Sequence, residues 1–173
     1  QDEIDAVAPY HGTVTLGNGT FEIDTQLFVT NGVTLVGQGM DKTVIKQTTS
    51  GQDSRCAMVD GGAKLVGMTL TDGKITAGDY NHGGNVKLLN GQISYCCITN
   101  GVSHSSHSGG AGISISQGIV DHSVIINNSQ TYSWGNAAGG ILINTPSGDV
   151  LIDACLIVGN SESSGADYGG GGG

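Results

Sequence analysis

The chain has 173 residues, enough for one domain, and a net charge of −9 with only six Lys plus Arg. That balance argues against nucleic acid or an anionic membrane surface as partner, since both call for cationic neutralisation. Aromatics make up 5% and the 31 glycines follow no three-residue period, which excludes a collagen-like chain and leaves little bulk for an ordinary sandwich core.

Residues 1–8, QDEIDAVA, place Ile4 and Ala8 on one helical face with acids in the first turn. They predict a short helix, stopped by Pro9. Residues 12–30, GTVTLGNGTFEIDTQLFVT, alternate apolar and polar. Val14 and Leu16, Phe21 and Ile23, and Leu27 and Val29 read as inward pairs of short strands, broken at Gly17-Asn18-Gly19. Asn31-Gly32 then opens the run GVTLVGQGMDKTVI.

From that run onward the chain repeats about every 28 residues. Leu35, Leu65, Ile93, Val120 and Ile152 share one inward column. Three residues on stand Gln38, Met68, Cys96, Ser123 and Cys155, and two further on Leu70, Ile98, Ile125 and Ile157. Gly73, Gly101, Asn128 and Asn160 close the column set, and Gly or Asn there predicts positive φ. A further strand precedes each of these segments, with inward pairs Cys56/Met58, Val86/Leu88, Ile113/Ile115 and Ile141/Ile143. Residues 109–128, GGAGISISQGIVDHSVIINN, show one whole coil. Three short strands per period predict a right-handed parallel β-helix, an all-β solenoid in which each rung buries its apolar column against its neighbours. The N-terminal helix is then its end cap.

Residues 169–173, all glycine, follow Tyr168 just where Gly83-Gly84, Gly109-Gly110 and Gly139-Gly140 each precede a first strand. The expectation is one β-helix domain over residues 1–173 that forms the N-terminal part of a longer chain. The four cysteines, Cys56, Cys96, Cys97 and Cys155, lack metal-type spacing and read as small core residues. A vicinal Cys96–Cys97 bridge is the other reading. Cys96 and Cys155 share a column but stand two rungs apart, too far to bridge.

The run GTVTLGNGTFEIDTQLFVTNGVTLVGQGMDKTVI resembles the opening of pectate-lyase-like right-handed β-helix proteins. The rungs GISISQGIVDHSVIINN and GILINTPSGDVLIDACLIVGN fit the same repeat, so the resemblance covers nearly the whole chain. It implies the fold. For activity it leaves open polysaccharide lyases, glycoside hydrolases, phage tailspikes and bacterial surface proteins.

The resemblance puts an active cleft on the outward face of the strand before each column set. Those outward positions read as Ala57, Lys87, Ser114 and Leu142, then Val59, Leu89, Ser116 and Asn144. A lyase needs a base and a cation to neutralise the substrate carboxylate, and the family's lyases often add Ca²⁺. Here Lys87 stands alone and Arg55, the single arginine, lies at a loop end. A hydrolase needs two placed carboxylates. The family's paired-Asp and Gly-His-Gly motifs are absent, and Asp121 and Asp153, one rung apart beside His122, fall away from the cleft and read as solvent-facing. No catalytic residue, metal site or cofactor is therefore assigned, with Ca²⁺ reserved for the lyase case.

Four segments leave the coil at one station: residues 74–82, 102–108, 129–138 and 161–168. As stacked loops they carry Tyr80 and His82, His104 and His107, Tyr132 and Trp134, and Tyr168, half of the chain's aromatics and three of its five histidines. Exposed aromatics suit sugar rings, so these seven residues form a candidate carbohydrate-binding strip. The other reading is that they pin long loops to the wall. The expected function is a secreted or cell-surface β-solenoid module, non-catalytic in this segment, that binds polysaccharide or surface glycan. The alternative is the N-terminal portion of a polysaccharide lyase or glycoside hydrolase with catalytic residues beyond residue 173. An extracellular or cell-surface location follows from either, and no run reaches the ~18 apolar residues of a spanning helix.

Overall fold

The computed structural model describes residues 1–49, 54–76, 82–104, 109–132, 138–144 and 148–163. Helix α1 (Asp2–Val7) runs into a 3-10 turn (Ala8–Tyr10) that contains Pro9. Two circuits of three strands follow: β1 (Thr13–Thr15), β2 (Gly19–Ile23) and β3 (Leu27–Val29), then β4 (Thr34–Val36), β5 (Thr43–Gln47) and β6 (Ala57–Val59). The next circuits gain a fourth strand. They are β7 (Ala63–Val66), β8 (Thr69–Thr71), β9 (Lys74–Ile75) and β10 (Val86–Leu88), followed by β11 (Gly91–Ser94), β12 (Cys97–Thr99), β13 (Val102–His104) and β14 (Ile113–Ile115). Then come β15 (Gly118–Asp121), β16 (Val124–Ile126), β17 (Ser129–Tyr132) and β18 (Ile141–Ile143), and last β19 (Val150–Asp153), β20 (Leu156–Val158) and β21 (Ser161–Glu162).

Strands stack only on their counterparts one circuit away, in parallel, and so build four walls. The first wall is β1-β4-β7-β11-β15-β19 and the second β2-β5-β8-β12-β16-β20. The third is β3-β6-β10-β14-β18 and the fourth β9-β13-β17-β21. The protein is thus the all-β parallel β-solenoid its repeat predicts. Leu35, Leu65, Ile93, Val120 and Ile152 pair in register along the first wall. Leu70, Ile98, Ile125 and Ile157 do so along the second. Leu65, Leu70, Ile93, Ile98 and Ile125 are fully buried, and each is worth about 1.5–3 kcal/mol of transfer free energy.

The N-terminal helix closes one end. Ile4 is buried, and Val7 and Ala8 pack on the core. The Gln1 carboxamide stands in for a missing strand: its Oε1 accepts the Phe28 N–H at 2.9 Å and its Nε2 donates to the Phe28 carbonyl at 3.1 Å. An exposed edge strand is thereby partly paired. Beneath the cap a cavity of about 540 Å³ remains, lined among others by Ile4, Val14, Leu16, Phe21, Leu27 and Ile45.

Two expectations need correction. In the third wall Ala57 and Val59, not Cys56 and Met58, are the inward pair of β6, in register with Val86 and Leu88. Met58 faces outward beside Lys87, and Ala57 and Val59 leave the outward columns. Cys-Ala-Met-Val is apolar throughout, so alternation carries no information there, and a slip of one residue exchanges the two faces. Cys56 is still buried, with its Sγ near the Thr71 carbonyl at 3.2 Å. All four cysteines are free thiols, and burial pushes Cys56 and Cys96 up to about 12.

The second correction concerns the corner after the second wall. Gly73, Gly101, Asn128 and Asn160 do not hold positive φ. That conformation falls one residue earlier, at Asp72, Asn100, Asn127 and Gly159. The corner residues themselves form a buried amide ladder. Asn128 Oδ1 accepts the Gly101 N–H at 2.8 Å and the Asn85 Nδ2–H at 3.1 Å. Its Nδ2 donates to the Ile98 carbonyl at 3.0 Å and to Asn160 Oδ1 at 2.9 Å. Asn85 enters from the next strand to bond the Gly73 N–H, at 2.8 Å. A Cβ at Gly101 would lie 2.2 Å from the Ala111 carbonyl oxygen and 2.6 Å from Asn85 Nδ2, so glycine is required there by space.

Each amide in the ladder satisfies backbone groups that water cannot reach. Asn128→Ala removes partners from the Gly101 N–H and the Ile98 carbonyl, and is expected to lower the unfolding free energy by about 3 kcal/mol. Urea denaturation checks this. A loss within experimental error of zero would show that the ladder does not support the corner.

Candidate functional site

The segments read as loops begin as strands. Residues 74–75, 102–104, 129–132 and 161–162 are the fourth wall, β9, β13, β17 and β21. Its inward column is Ile75, Ser103 and Gln130, all fully buried. A polar inward pair is unusual for a solenoid core and explains why hydrophobic periodicity does not reveal this wall. The pairing passes from Ser103↔Gln130 to His104↔Tyr132, a bulge that lets the longer strand shed one residue.

The bulge sets His104 and Tyr132 abreast on neighbouring rungs. His104 is exposed, and its Nδ1 lies 2.8 Å from Thr131 Oγ1. Of the seven strip residues, Tyr80, His107, Trp134 and Tyr168 lie outside the described residues. His82 is described and is only 4% exposed. Its Nδ1 accepts the Gly109 N–H at 3.0 Å, which ties one coil to the next and leaves no ring face for a ligand.

A second group gathers at the third wall. Its outward column is Phe28, Met58, Lys87, Ser114 and Leu142. Arg55, which precedes β6, reaches the same flank. Its Nη1 donates to Gln26 Oε1 at 2.9 Å, its Nε to the Gly83 carbonyl at 3.2 Å and its Nη2 to the His82 carbonyl at 3.3 Å. Lys87 is held below its usual range by burial and by the Arg55 charge. Lys87 is therefore not alone: an otherwise acidic chain concentrates two cations here. The signal that points to it is the repeat, since Arg55 lies about one period before His82 and Gly83.

A third grouping lies at the corner between the first and second walls. Asp121 and Asp153 pair in register, as their spacing predicts. His122 Nδ1 sits 3.7 Å from Asp121 Oδ2, and the His122 ring stacks on Tyr95. Nothing in the sequence reading singled out Tyr95. Its partner stands one rung away, and the ring pair emerges only once the first wall is registered.

Burial first, and then the charges of Lys87 and Arg55, push His82 from 6.5 down to about 4. Between those values the unfolded chain binds the proton and the folded chain does not. The stability from neutral His82 is therefore complete above about pH 6.5 and is lost as pH falls toward 4. His82→Asn keeps an acceptor for the Gly109 N–H but cannot titrate. Its melting temperature should fall less steeply than the parent's over that window, and parallel curves would sink the assignment. No helix among the described residues is long and apolar enough to cross a membrane. No protein-family model, curated protein or solved structure matches this chain.

Proposed function

We propose that this chain is a rigid, secreted or cell-surface β-solenoid module that holds glycan along the flank of its fourth wall and performs no catalysis in this segment. The observation that carries the reading is the pairing of His104 with Tyr132 across β13 and β17. It brings the His- and Tyr-bearing segments to one flank at the rung spacing of about 4.8 Å. Trp134 follows Tyr132 by two residues and His107 follows His104 by three. Backbone register of these segments on a stiff rod suits successive contacts to a linear polymer, whose weak single-sugar contacts then add by avidity. His82, being buried, is not part of this strip. The resemblance to pectate-lyase-like β-helix proteins favours polysaccharide as the partner and an extracellular or surface location.

A second reading is supported by Arg55 and Lys87. Lys87 on the outward column of the third wall, with the buried Arg55 charge behind it, suits a uronate carboxylate, and a lysine whose proton is weakly held suits proton abstraction α to it. On that reading the chain is the N-terminal portion of a polysaccharide lyase or hydrolase that draws further residues from beyond residue 173, with Ca²⁺ for the lyase case.

Retention on immobilised polysaccharide separates the two. Tyr132→Ala with Trp134→Ala should abolish retention while the β-type circular dichroism spectrum stays unchanged. Retention equal to the parent's, or none by the parent, removes the strip. Release of unsaturated sugar from a uronic-acid polymer in Ca²⁺, lost in Lys87→Ala, would establish the second reading instead.

A further inference from the structure

The corner between the first and second walls carries an aromatic platform. Gly67, Tyr95, His122 and Ala154 stand in one column, each following a strand of the first wall whose last residues are in register. All four hold the left-handed conformation, with φ of 67°, 54°, 47° and 49°. Their backbones repeat the same bond: Gly67 N–H to the Ser94 carbonyl at 3.0 Å, Tyr95 N–H to Asp121 at 3.2 Å and His122 N–H to Asp153 at 3.1 Å. On these four rungs the corner residue is left-handed, a conformation for which glycine is the unstrained choice, as at Gly67. Tyr and His at the next two rungs hold a conformation that their Cβ atoms resist.

Core packing does not repay that strain. Tyr95 is 53% exposed and the His122 side chain 47%. Their rings stack with centroids 4.9 Å apart and planes 23° from parallel, so His122 covers one face of Tyr95 and holds the ring along the rod axis. The other face looks toward the next rung, where the residue in register is Gly67. Glycine supplies no side chain of its own there, and the three atoms nearest a Cβ at Gly67 would be backbone of Gly37 and Gly39, at 3.4 Å and beyond. The column is a stack of rings with one layer left out, and its floor is glycine backbone.

We propose that this slot binds a neutral pyranose, stacked on the open face of Tyr95 above Gly67. A pyranose with equatorial substituents offers a flat face of C–H groups that matches the electron-rich face of a phenol ring. The vacant layer has the thickness of one rung, about 4.8 Å, which suits one saturated ring. Asp121 and Asp153 lie one and two rungs beyond Tyr95 on the same corner, and the chain carries −9 overall, so a carboxylate-bearing sugar is disfavoured. The slot lies on a different corner from the fourth-wall strip and is independent of it.

The test is calorimetric titration of the full chain with cellohexaose, a neutral β-linked glucan fragment, and with a galacturonate oligomer of equal length. The parent should bind cellohexaose with at most millimolar dissociation constant and bind the uronate more weakly. Tyr95→Ala should weaken cellohexaose about tenfold or more, and Tyr95→Phe should bind like the parent. Gly67→Asn places a side chain in the vacant layer without altering Tyr95. Asn tolerates this conformation, as Asn100 and Asn127 do elsewhere in the chain, so this variant decides the matter if Tyr95→Ala fails to fold. It should abolish the binding, whereas Tyr132→Ala with Trp134→Ala should leave it intact. No binding by the parent, uronate binding as tight as glucan, unchanged affinity in Tyr95→Ala or Gly67→Asn, or loss in the Tyr132/Trp134 variant alone would each overturn the proposal.

Discussion

Everything in this protein depends on one constraint: each strand must hydrogen-bond in register to the strand one circuit away. A parallel ladder lets no rung shift relative to the next without exchanging its inward and outward faces. The period can vary between rungs, because extra residues leave through the corners. The wall positions cannot. Leu35, Leu65, Ile93, Val120 and Ile152 therefore stay superposed although their spacing along the chain changes from rung to rung. The first two circuits meet this constraint with three walls. The later ones accommodate longer excursions by adding a short fourth strand before the chain returns to the third wall.

The same constraint makes the corners the costly part of the coil. Walls bury aliphatic side chains and satisfy their backbone by pairing. Corners turn the chain, leave N–H and C=O groups pointing inward, and need φ values that most residues resist. Two solutions recur here. At the corner after the first wall the left-handed conformation is held by Gly67, Tyr95, His122 and Ala154, with strain only at the three non-glycine residues. At the corner after the second it is held by Asp72, Asn100, Asn127 and Gly159, while the next residue, Asn128 or Asn160, turns its amide inward to close the open backbone bonds. Where Gly73 and Gly101 leave no side chain, Asn85 supplies the amide from another strand. A buried polar ladder of this kind is stabilising only when every member is satisfied, and the five bonds of the Asn128 amide leave neither its oxygen nor its nitrogen unpaired.

How much of this the sequence discloses follows from what periodicity measures. Aliphatic columns are legible because apolar residues in register recur at nearly constant spacing, and the walls and the end cap could be laid out from them. The β6 rung was misplaced by one residue because Cys56, Ala57, Met58 and Val59 are all apolar and only the ladder to Val86 and Leu88 separates the faces. The fourth wall is not legible from periodicity because its inward residues include Ser103 and Gln130. Gly and Asn at the second corner were rightly grouped, yet their shared property is small size and amide chemistry rather than left-handed backbone. Candidate site residues are less legible still. Arg55 and His82 stand 27 residues apart yet are joined through the His82 carbonyl, and Tyr95 meets His122 over the same separation.

Since each rung touches only its neighbours, the chemistry on one flank is mechanically separate from that on another. The inward columns set stability, and the outward columns are free to vary as long as the corners close. The Arg55–Lys87 pair, the His104–Tyr132 flank and the Tyr95–His122 stack occupy different sides of the same rod. Such a scaffold can hold several weak surface contacts at fixed distances without coupling them through the core. Fixed spacing then does the work that a deep pocket does in a globular enzyme. A linear polymer that matches the rung repeat gains contact with every rung it crosses, and one that does not match gains only the first.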